Sequence, residues 1–154
     1  MRIVLQRVKE AEVRVDSQAI ASIGQGVVLL LGFGGQDDKY LPSSETWKVC
    51  IHKLPKLRIF PDEEGKSNLS LEQIGGEMLI VSQFTLYADW RKGRRPSFAG
   101  AANPELARYL YDCFYKDVQD VYPEKVKQGS FGAEMDVILT NWGPVTLFWD
   151  TEQM

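Results

Sequence analysis

The most informative stretch of the chain reads Glu77-Met78-Leu79-Ile80-Val81-Ser82-Gln83-Phe84-Thr85-Leu86-Tyr87. Its apolar run, from Met78 to Val81, is typical of a strand that is buried on both faces of a sheet. Hydroxyl and amide side chains follow at Ser82, Gln83 and Thr85. A buried polar group without a partner costs about 1–3 kcal/mol, so these groups need either neighbouring backbone or a ligand. Both interpretations remain open on these residues alone.

The flanking sequence predicts a mixed α/β fold with few helices. Helices are expected at 44–54, capped by Ser43 or Ser44, and after Asn103-Pro104, because apolar residues recur there at helical spacing behind a capping residue. The connection 70–76 shows little regular pattern. Strands are predicted by apolar runs or alternation at 3–8, 11–15, 19–23, 27–31, 57–60, 135–140 and 145–149. Apolar helices must pack on such a sheet, which gives a single layered domain over residues 1–154.

Composition excludes several classes of protein. The net charge of -3 argues against a protein that binds polyanions over its whole surface. No signal peptide is visible and the apolar runs are too short to span a bilayer, so a cytoplasmic protein without a membrane segment is expected. Cys50 and Cys113 lie at apolar helix positions and are predicted to be buried free thiols. Together with His52 they do not readily supply a metal site, and no metal is expected.

Two charged features have alternative interpretations. Alternation places Arg7 on the same face as Ile3 and Leu5, so it is either buried and paired or solvated beyond the end of its strand. Four cations, flanked by Trp90 and Phe98, form what we call the basic patch. It either contacts nucleic acid or is a solvated loop. Its members are Arg91, Lys92, Arg94 and Arg95.

The side-chain inventory limits the chemistry. The single histidine, His52, is predicted on a helix flank, which makes a Ser-His-Asp arrangement improbable. The glycine-rich segment after residue 31 lacks the dinucleotide and Walker spacings and is interpreted as a flexible turn. What remains is hydroxyl groups, backbone N–H groups near Phe84 and Thr85, and the Gly143-Pro144 turn. Backbone donors of this kind can stabilise an oxyanion, at about 10²–10³ in rate per donor.

Two motifs resemble the signatures of the D-aminoacyl-tRNA deacylases (D-Tyr-tRNA deacylases). They are Ser82-Gln83-Phe84-Thr85-Leu86 and Asn141-Trp142-Gly143-Pro144-Val145-Thr146. Supporting similarity extends over essentially the whole chain. The resemblance implies a homodimeric β/β/α layered fold, without cofactor, that hydrolyses the ester joining a D-amino acid or glycine to the terminal adenosine of tRNA.

The resemblance also implies roles for individual residues. Ser82, Gln83, Phe84 and Thr85 line the pocket around the aminoacyl group. Gly143-Pro144 is cis, enters the partner's pocket and excludes L side chains, with Arg7 bracing the turn. The basic patch contacts tRNA. Positions near the adenosine or the pocket wall are matched by Ala101, Phe131 and Met135.

Some alternatives stay open beside this resemblance. We favour attack by water assisted by the 2′-hydroxyl of the tRNA, with Thr85 as covalent nucleophile second. Trp142 is bulky where the family commonly has a small polar residue, which leaves the contact of this flank with tRNA open. Competing functions are a non-catalytic nucleic-acid-binding module that uses the basic patch, and a relative with a trans Gly–Pro bond that acts on L-alanyl esters.

Overall fold

A six-stranded mixed sheet forms the centre of the computed structural model, which describes residues 1–151. The last residues of the predicted domain, 152–154, lie outside the described part. The strands are β1 (Arg2–Val15), β2 (Gln18–Ile23), β3 (Gly26–Gly32), β6 (Glu77–Ser82), β7 (Val126–Gln128) and β8 (Asp136–Asp150). A separate antiparallel hairpin consists of β4 (Arg58–Pro61) and β5 (Ser67–Ser70).

The strand order is β2-β1-β3-β6-β7, and β8 pairs with β1. The long strand β1 is antiparallel to β3 near its beginning, to β2 near its end, and to β8 along most of its length. In contrast, β3, β6 and β7 run parallel to one another. The carboxyl ends of β3 and β6 therefore lie side by side at one edge of the sheet.

Helices α1 (Glu45–Lys53) and α3 (Pro104–Val121) begin at side-chain caps. The Ser44 hydroxyl accepts a hydrogen bond from the Trp47 N–H, and the Asn103 side chain accepts one from the Leu106 N–H. Both caps agree with the sequence prediction, which had left Ser43 and Ser44 as alternatives. A four-residue helix, α2 (Leu71–Ile74), lies between β5 and β6.

Two buried clusters lie on opposite faces of β3 and β6, so the fold has three layers. On one face, α1 and α3 bury Trp47, Tyr111 and Phe114 against the sheet. On the other face, Val28, Leu79 and Val81 pack with the distal half of β1 and with β2 and β8. Met78 to Val81 are all buried, as the apolar run predicted. The mixed α/β fold with two main helices on a sheet is confirmed.

Several predicted boundaries were wrong. Segments 3–8 and 11–15 form one strand, β1, and segments 135–140 and 145–149 belong to β8. The pairing of β8 with β1 still breaks between Asn141 and Thr146, where proline lacks the donor that the ladder needs. The connection 70–76 contains α2, which a capping box between Ser70 and Gln73 starts.

The predicted burial of the two thiols holds for only one of them. Cys50 is fully buried, and burial raises its pKa to about 12, whereas Cys113 is half-buried. Both are free thiols. Within residues 1–151 no helix is both long and apolar enough to cross a bilayer.

Candidate active site

The site begins where β3 and β6 end together. Leu31 pairs with Ser82 in the parallel ladder, and the Gln83 N–H donates to the Leu31 carbonyl at 2.7 Å. At the next position only a glycine fits, because a Cβ on Gly32 would lie 2.6 Å from the Gln83 carbonyl oxygen. The glycine-rich segment thus begins inside β3, and the predicted turn comes only at its end, where the Asp37 N–H donates to the Gly34 carbonyl at 3.1 Å. Gly32, Phe33 and Gly34 are buried, and Gly32 and Phe33 form part of the wall of the site.

After Gln83 the chain forms one turn of 3-10 helix, Phe84–Tyr87. The Gln83 carbonyl accepts from the Leu86 N–H at 3.3 Å, and the Thr85 carbonyl accepts from the Ala88 N–H at 3.0 Å. Within the described chain, the N–H groups of Phe84 and Thr85 donate to no acceptor, as expected for the first donors of a helical turn. Two backbone donors are thus available to a ligand.

The Thr85 hydroxyl is held by its neighbour. The Gln83 side-chain amide donates to Thr85 Oγ1 at 2.6 Å. Among the described residues, neither an imidazole nor a carboxylate accepts a proton from this hydroxyl. Thr85 therefore lacks the adjacent base that an activated threonine nucleophile requires.

Arg2 supports the other end of this turn, a role that the sequence analysis missed. Its Nη1 donates to the Leu86 carbonyl at 2.9 Å, and its Nε donates to the Asp150 carboxylate at 3.0 Å. The guanidinium also lies 4.3 Å from the centre of the Tyr87 ring. Pairing the first strand with the glycine-rich end of β3 would have revealed this role, because that pairing places Arg2 opposite Gly32.

A cavity of about 350 Å³ opens at these strand ends, and we call it the strand-end cavity. Its walls are mainly apolar and carry no acid, amine, imidazole or thiol side chain. Five residues that the sequence analysis assigned to a site line it: Ser82, Gln83, Phe84, Ala101 and Phe131. Thr85 is linked to it through Gln83.

Aromatic residues that were not assigned to a site complete the walls. The Phe98 ring meets the Phe84 ring edge-on, with the ring centres 5.1 Å apart. Phe33 lines the inner end. Opposite them, the Arg108 guanidinium lies over Phe131 at 4.6 Å and donates to the Phe131 carbonyl at 3.1 Å. Such long-range packing leaves no pattern in the local sequence.

Met135 does not line the strand-end cavity, unlike the other residues matched to its wall. Its sulfur accepts from the Ser130 N–H at 3.3 Å, and its side chain packs on the buried cluster between β1 and β8. A Cβ on Gly129 would lie 2.9 Å from this sulfur. Met135 therefore contacts the 128–131 loop and, through this loop, supports Phe131.

Arg7 is buried and paired, which settles the two interpretations left by the sequence. Only 7% of the residue is exposed, and burial lowers the pKa of its guanidinium. Its Nε donates to the Trp142 carbonyl at 3.0 Å, and its Nη1 donates to the Ile59 carbonyl. The guanidinium also lies 4.6 Å from the centre of the Trp142 ring.

The turn that Arg7 contacts is exposed and lies outside the strand-end cavity of its own chain. The Gly143–Pro144 peptide bond is cis, as the resemblance implied, and both residues are exposed. Trp142, whose bulk had left the contact of this flank with tRNA open, is half-buried. Its ring faces Phe60 at 6.4 Å and packs against the main core. The tryptophan therefore supports the turn from the protein side.

The basic patch is exposed throughout, but its cations differ in pairing. Arg91 forms a bidentate pair with Asp89, at 2.9 and 2.8 Å, and this pairing holds the pKa of the Asp89 carboxyl well below its usual range. Lys92, Arg94 and Arg95 have no acidic partner within residues 1–151. They are free to contact an external anion.

A family profile and two relatives of similar sequence point to the same family. The D-Tyr-tRNA(Tyr) deacylase family profile matches residues 4–150. A D-aminoacyl-tRNA deacylase of Nitratidesulfovibrio vulgaris strain DP4 is 54% identical over 154 residues, which cover 100% of this chain and 95% of that protein. A protein of the same name from Solidesulfovibrio magneticus is 51% identical over 154 residues, covering 100% of this chain and 98% of the relative.

Two solved structures share the fold. One, titled "c-Myc DNA Unwinding Element Binding Protein", superposes with a TM-score of 0.86 at 37% identity, over 98% of this chain and 99% of the other. The second, a probable eukaryotic D-amino acid tRNA deacylase, gives a TM-score of 0.79 at 20% identity, over 96% and 97% of the two chains. With a family profile and relatives that match nearly its whole length, this chain belongs to the D-Tyr-tRNA(Tyr) deacylase family.

Proposed function

We propose that this chain hydrolyses the ester bond of D-aminoacyl-tRNA, releasing free tRNA and the D-amino acid, and so removes mischarged D-amino acids before translation. The observation that carries the proposal is the strand-end cavity. It offers an apolar chamber, the free N–H groups of Phe84 and Thr85, and no acid–base or nucleophilic set. Membership of the family supports the reaction class.

The chemistry suits such a site because an aminoacyl ester is already activated. A water molecule attacks the ester carbonyl carbon, and the carbonyl π electrons move to the oxygen. The N–H groups of Phe84 and Thr85 stabilise this oxyanion, an effect of about 10²–10³ in rate per donor. The oxyanion then reforms the carbonyl, and the bond to the ribose oxygen breaks. The neighbouring 2′-hydroxyl of the tRNA accepts the water's proton while it passes its own to the leaving oxygen.

Thr85 is a positioning residue in this scheme. Its hydroxyl accepts from the Gln83 amide and has no base to deprotonate it, so attack by Thr85 itself is disfavoured. The Gln83–Thr85 bond instead fixes the turn that presents the two free donors. Ser82 lines the same wall beside them.

We further propose that the functional unit is a homodimer in which Gly143–Pro144 completes the partner's pocket. The turn is exposed, it lies away from the cavity of its own chain, and the buried Arg7 fixes it. The β8 surface around it exposes large apolar side chains suited to a second copy: Ile138, Leu147 and Phe148 are 48%, 40% and 59% exposed. Carbonyl groups of the turn exclude an L side chain, whereas glycine, which has no side chain, is accepted.

The remaining assignments concern the tRNA. Ala101 and Phe131 lie on the cavity wall, where they contact the terminal adenosine. Met135 affects this contact only through the 128–131 loop, which carries Phe131. Arg91, Lys92, Arg94 and Arg95 contact the phosphates, with the three unpaired cations contributing most. The reaction takes place in the cytoplasm, where aminoacyl-tRNA is used.

A second candidate function is a nucleic-acid-binding module without catalysis. The exposed basic patch favours it, as does the likeness to a solved structure whose title names DNA binding. This function would not need an enclosed apolar cavity with free backbone donors, and we therefore rank it second.

Matched esters provide the test. D-Tyr-tRNA, L-Tyr-tRNA and glycyl-tRNA are incubated with substoichiometric enzyme, and the remaining ester is measured over time. We expect rapid loss of the D and glycyl esters while the L ester is spared. If none is hydrolysed although tRNA binds, the nucleic-acid-binding function replaces the enzyme. If the D and L esters are lost equally, hydrolysis stands and the chiral filter at Gly143–Pro144 falls.

A further inference from the structure

A second cavity, of about 600 Å³, adjoins the strand-end cavity on its outer side. We call it the Trp90 cavity. The segment 97–101 forms a wall between the two: Ser97, Ala99 and Gly100 face the Trp90 cavity, whereas Phe98 and Ala101 face the strand-end cavity. An extended ligand that crosses this wall from one cavity therefore reaches the other.

The dividing wall is held by backbone hydrogen bonds. The Gly35 N–H donates to the Gly100 carbonyl at 2.9 Å, and the Ala102 N–H donates to the Phe33 carbonyl at 2.9 Å. Asp89 and Ser97 exchange two backbone bonds, at 2.7 and 2.8 Å. Backbone hydrogen bonds of the chain itself therefore hold the wall and the base of the 89–97 loop in place.

The charges that line the Trp90 cavity are already paired. Arg91 is bound by Asp89 through two hydrogen bonds, and Arg2 is bound by Asp150. The interior therefore suits a neutral planar group better than a phosphate. Lys92, Arg94 and Arg95, which follow Arg91 in the chain and are exposed, remain to contact phosphates.

Two side chains match the surface of a nucleobase. Trp90 is 77% exposed, and its indole offers a stacking face, the usual platform for an unpaired base. Gln36 lines the same cavity, and its amide supplies both a donor and an acceptor for a base edge. Within the described chain this amide makes no hydrogen bond.

We infer that the Trp90 cavity binds the unpaired nucleotide that precedes the terminal adenosine of the tRNA, with its base stacked on Trp90. The inference rests on the proposed function, since it places the terminal aminoacyl-adenosine in the strand-end cavity. The sugar–phosphate chain then crosses the Ser97–Gly100 wall, and its phosphates face the unpaired cations of the basic patch.

Minimal substrates separate the two cavities. D-tyrosyl-adenosine reaches only the strand-end cavity, whereas a D-tyrosyl trinucleotide that ends in adenosine reaches both. We expect Trp90→Ala to raise KM for the trinucleotide about 5- to 150-fold, the range for one lost stacking contact. KM for D-tyrosyl-adenosine and kcat for both substrates should stay within twofold. Trp90→Phe, which keeps a stacking face, should restore most of the difference.

Equal KM changes for both substrates would overturn the inference, because Trp90 would then act on the strand-end cavity. Unchanged KM for both would also overturn it. If the wild type hydrolyses neither substrate, the proposed reaction fails, and a binding measurement then tests the nucleotide site in the Trp90 cavity by itself. The trinucleotide without its amino acid should quench wild-type tryptophan fluorescence more than adenosine does, and Trp90→Phe should lose this extra quenching. Equal quenching in both proteins would refute the site.

Discussion

Replacing Gly32 by alanine tests how the strand-end cavity is built. The added Cβ would lie 2.6 Å from the Gln83 carbonyl oxygen and 3.3 Å from the Leu86 Cβ. Ordinary Cβ contacts begin at 3.4 Å, so full relief of the clash requires the two atoms to separate by about 0.8 Å, the difference between 3.4 and 2.6 Å. The Gln83 carbonyl belongs to backbone and cannot rotate away as a flexible side chain can. The separation must therefore displace the turn that presents the N–H groups of Phe84 and Thr85.

The size of the effect follows from this displacement. Catalytic geometry tolerates about 0.5 Å, and loss of one oxyanion donor costs about 10²–10³ in rate. We therefore expect Gly32→Ala to lower kcat for D-Tyr-tRNA about 100-fold or more. Overpacking costs about 1–3 kcal/mol, and each kcal/mol shifts Tm by about 2–4 °C in a chain of this size. The variant should remain folded at 25 °C.

Gly35→Ala is the matched control. Its Cβ would lie 3.7 Å from the Gly100 carbonyl oxygen, an ordinary contact, so activity and Tm should match the wild type. Circular dichroism establishes that both variants are folded, and single-turnover deacylation of D-Tyr-tRNA gives the rates. A folded Gly32→Ala variant that deacylates within threefold of the wild type would refute the argument that this contact positions the donors.

Four further changes test the site and its support. Thr85→Ala should keep at least about a tenth of wild-type turnover, because Thr85 has no base; loss as complete as in a knockout, with tRNA binding intact, would contradict this. Arg7→Met should lower the free energy of unfolding by about 2–4 kcal/mol in urea, since two backbone carbonyls lose their donor, and Arg7→Lys should lose less; an unchanged midpoint would argue against bracing. The pKa of Cys50 is about 12 in the folded chain against an ordinary 9.0, so its contribution to the free energy of unfolding is fully present below pH 9 and is lost as pH rises towards 12, by up to about 1.4 kcal/mol per pH unit. Cys50→Ala should therefore make the urea midpoint less dependent on pH between pH 9 and 10. An unaltered pH dependence would contradict burial as the cause. Arg94→Ala and Arg95→Ala should each reduce the salt slope of tRNA binding by about 1 while hydrolysis of D-tyrosyl-adenosine is unchanged; an unaltered slope would exclude phosphate contact.

Local features of the structure were readable from the sequence. The apolar run from Met78 to Val81 predicted a strand buried on both faces, and Asn103 before a proline predicted the start of α3. Both depend on neighbours within one element. The capping box at Ser70 and Gln73 is equally local; its Ser-x-x-Gln spacing was visible, and α2 could have been predicted from it.

Features that depend on distant contacts could not be settled in this way. Arg7 was ambiguous because its acceptors, the carbonyls of Ile59 and Trp142, lie 52 and 135 residues away in the sequence. The contact that makes Gly32 necessary comes from Gln83, the residue that follows the neighbouring parallel strand β6. Met135 lies in a segment whose apolar and polar residues alternate as predicted, but its side chain packs on the buried cluster between β1 and β8 and not on the strand-end cavity.

The pairing of β1 with β8 has a consequence for synthesis of the protein. Residues 2–14 of β1 pair with residues 136–150 of β8, so one side of the first strand has no partner until the ribosome has made β8. An open edge of this length is a template for pairing with other chains. The nascent protein therefore carries an open strand edge from the synthesis of β1 until the synthesis of β8, and chaperones that shield strand edges should raise its soluble yield.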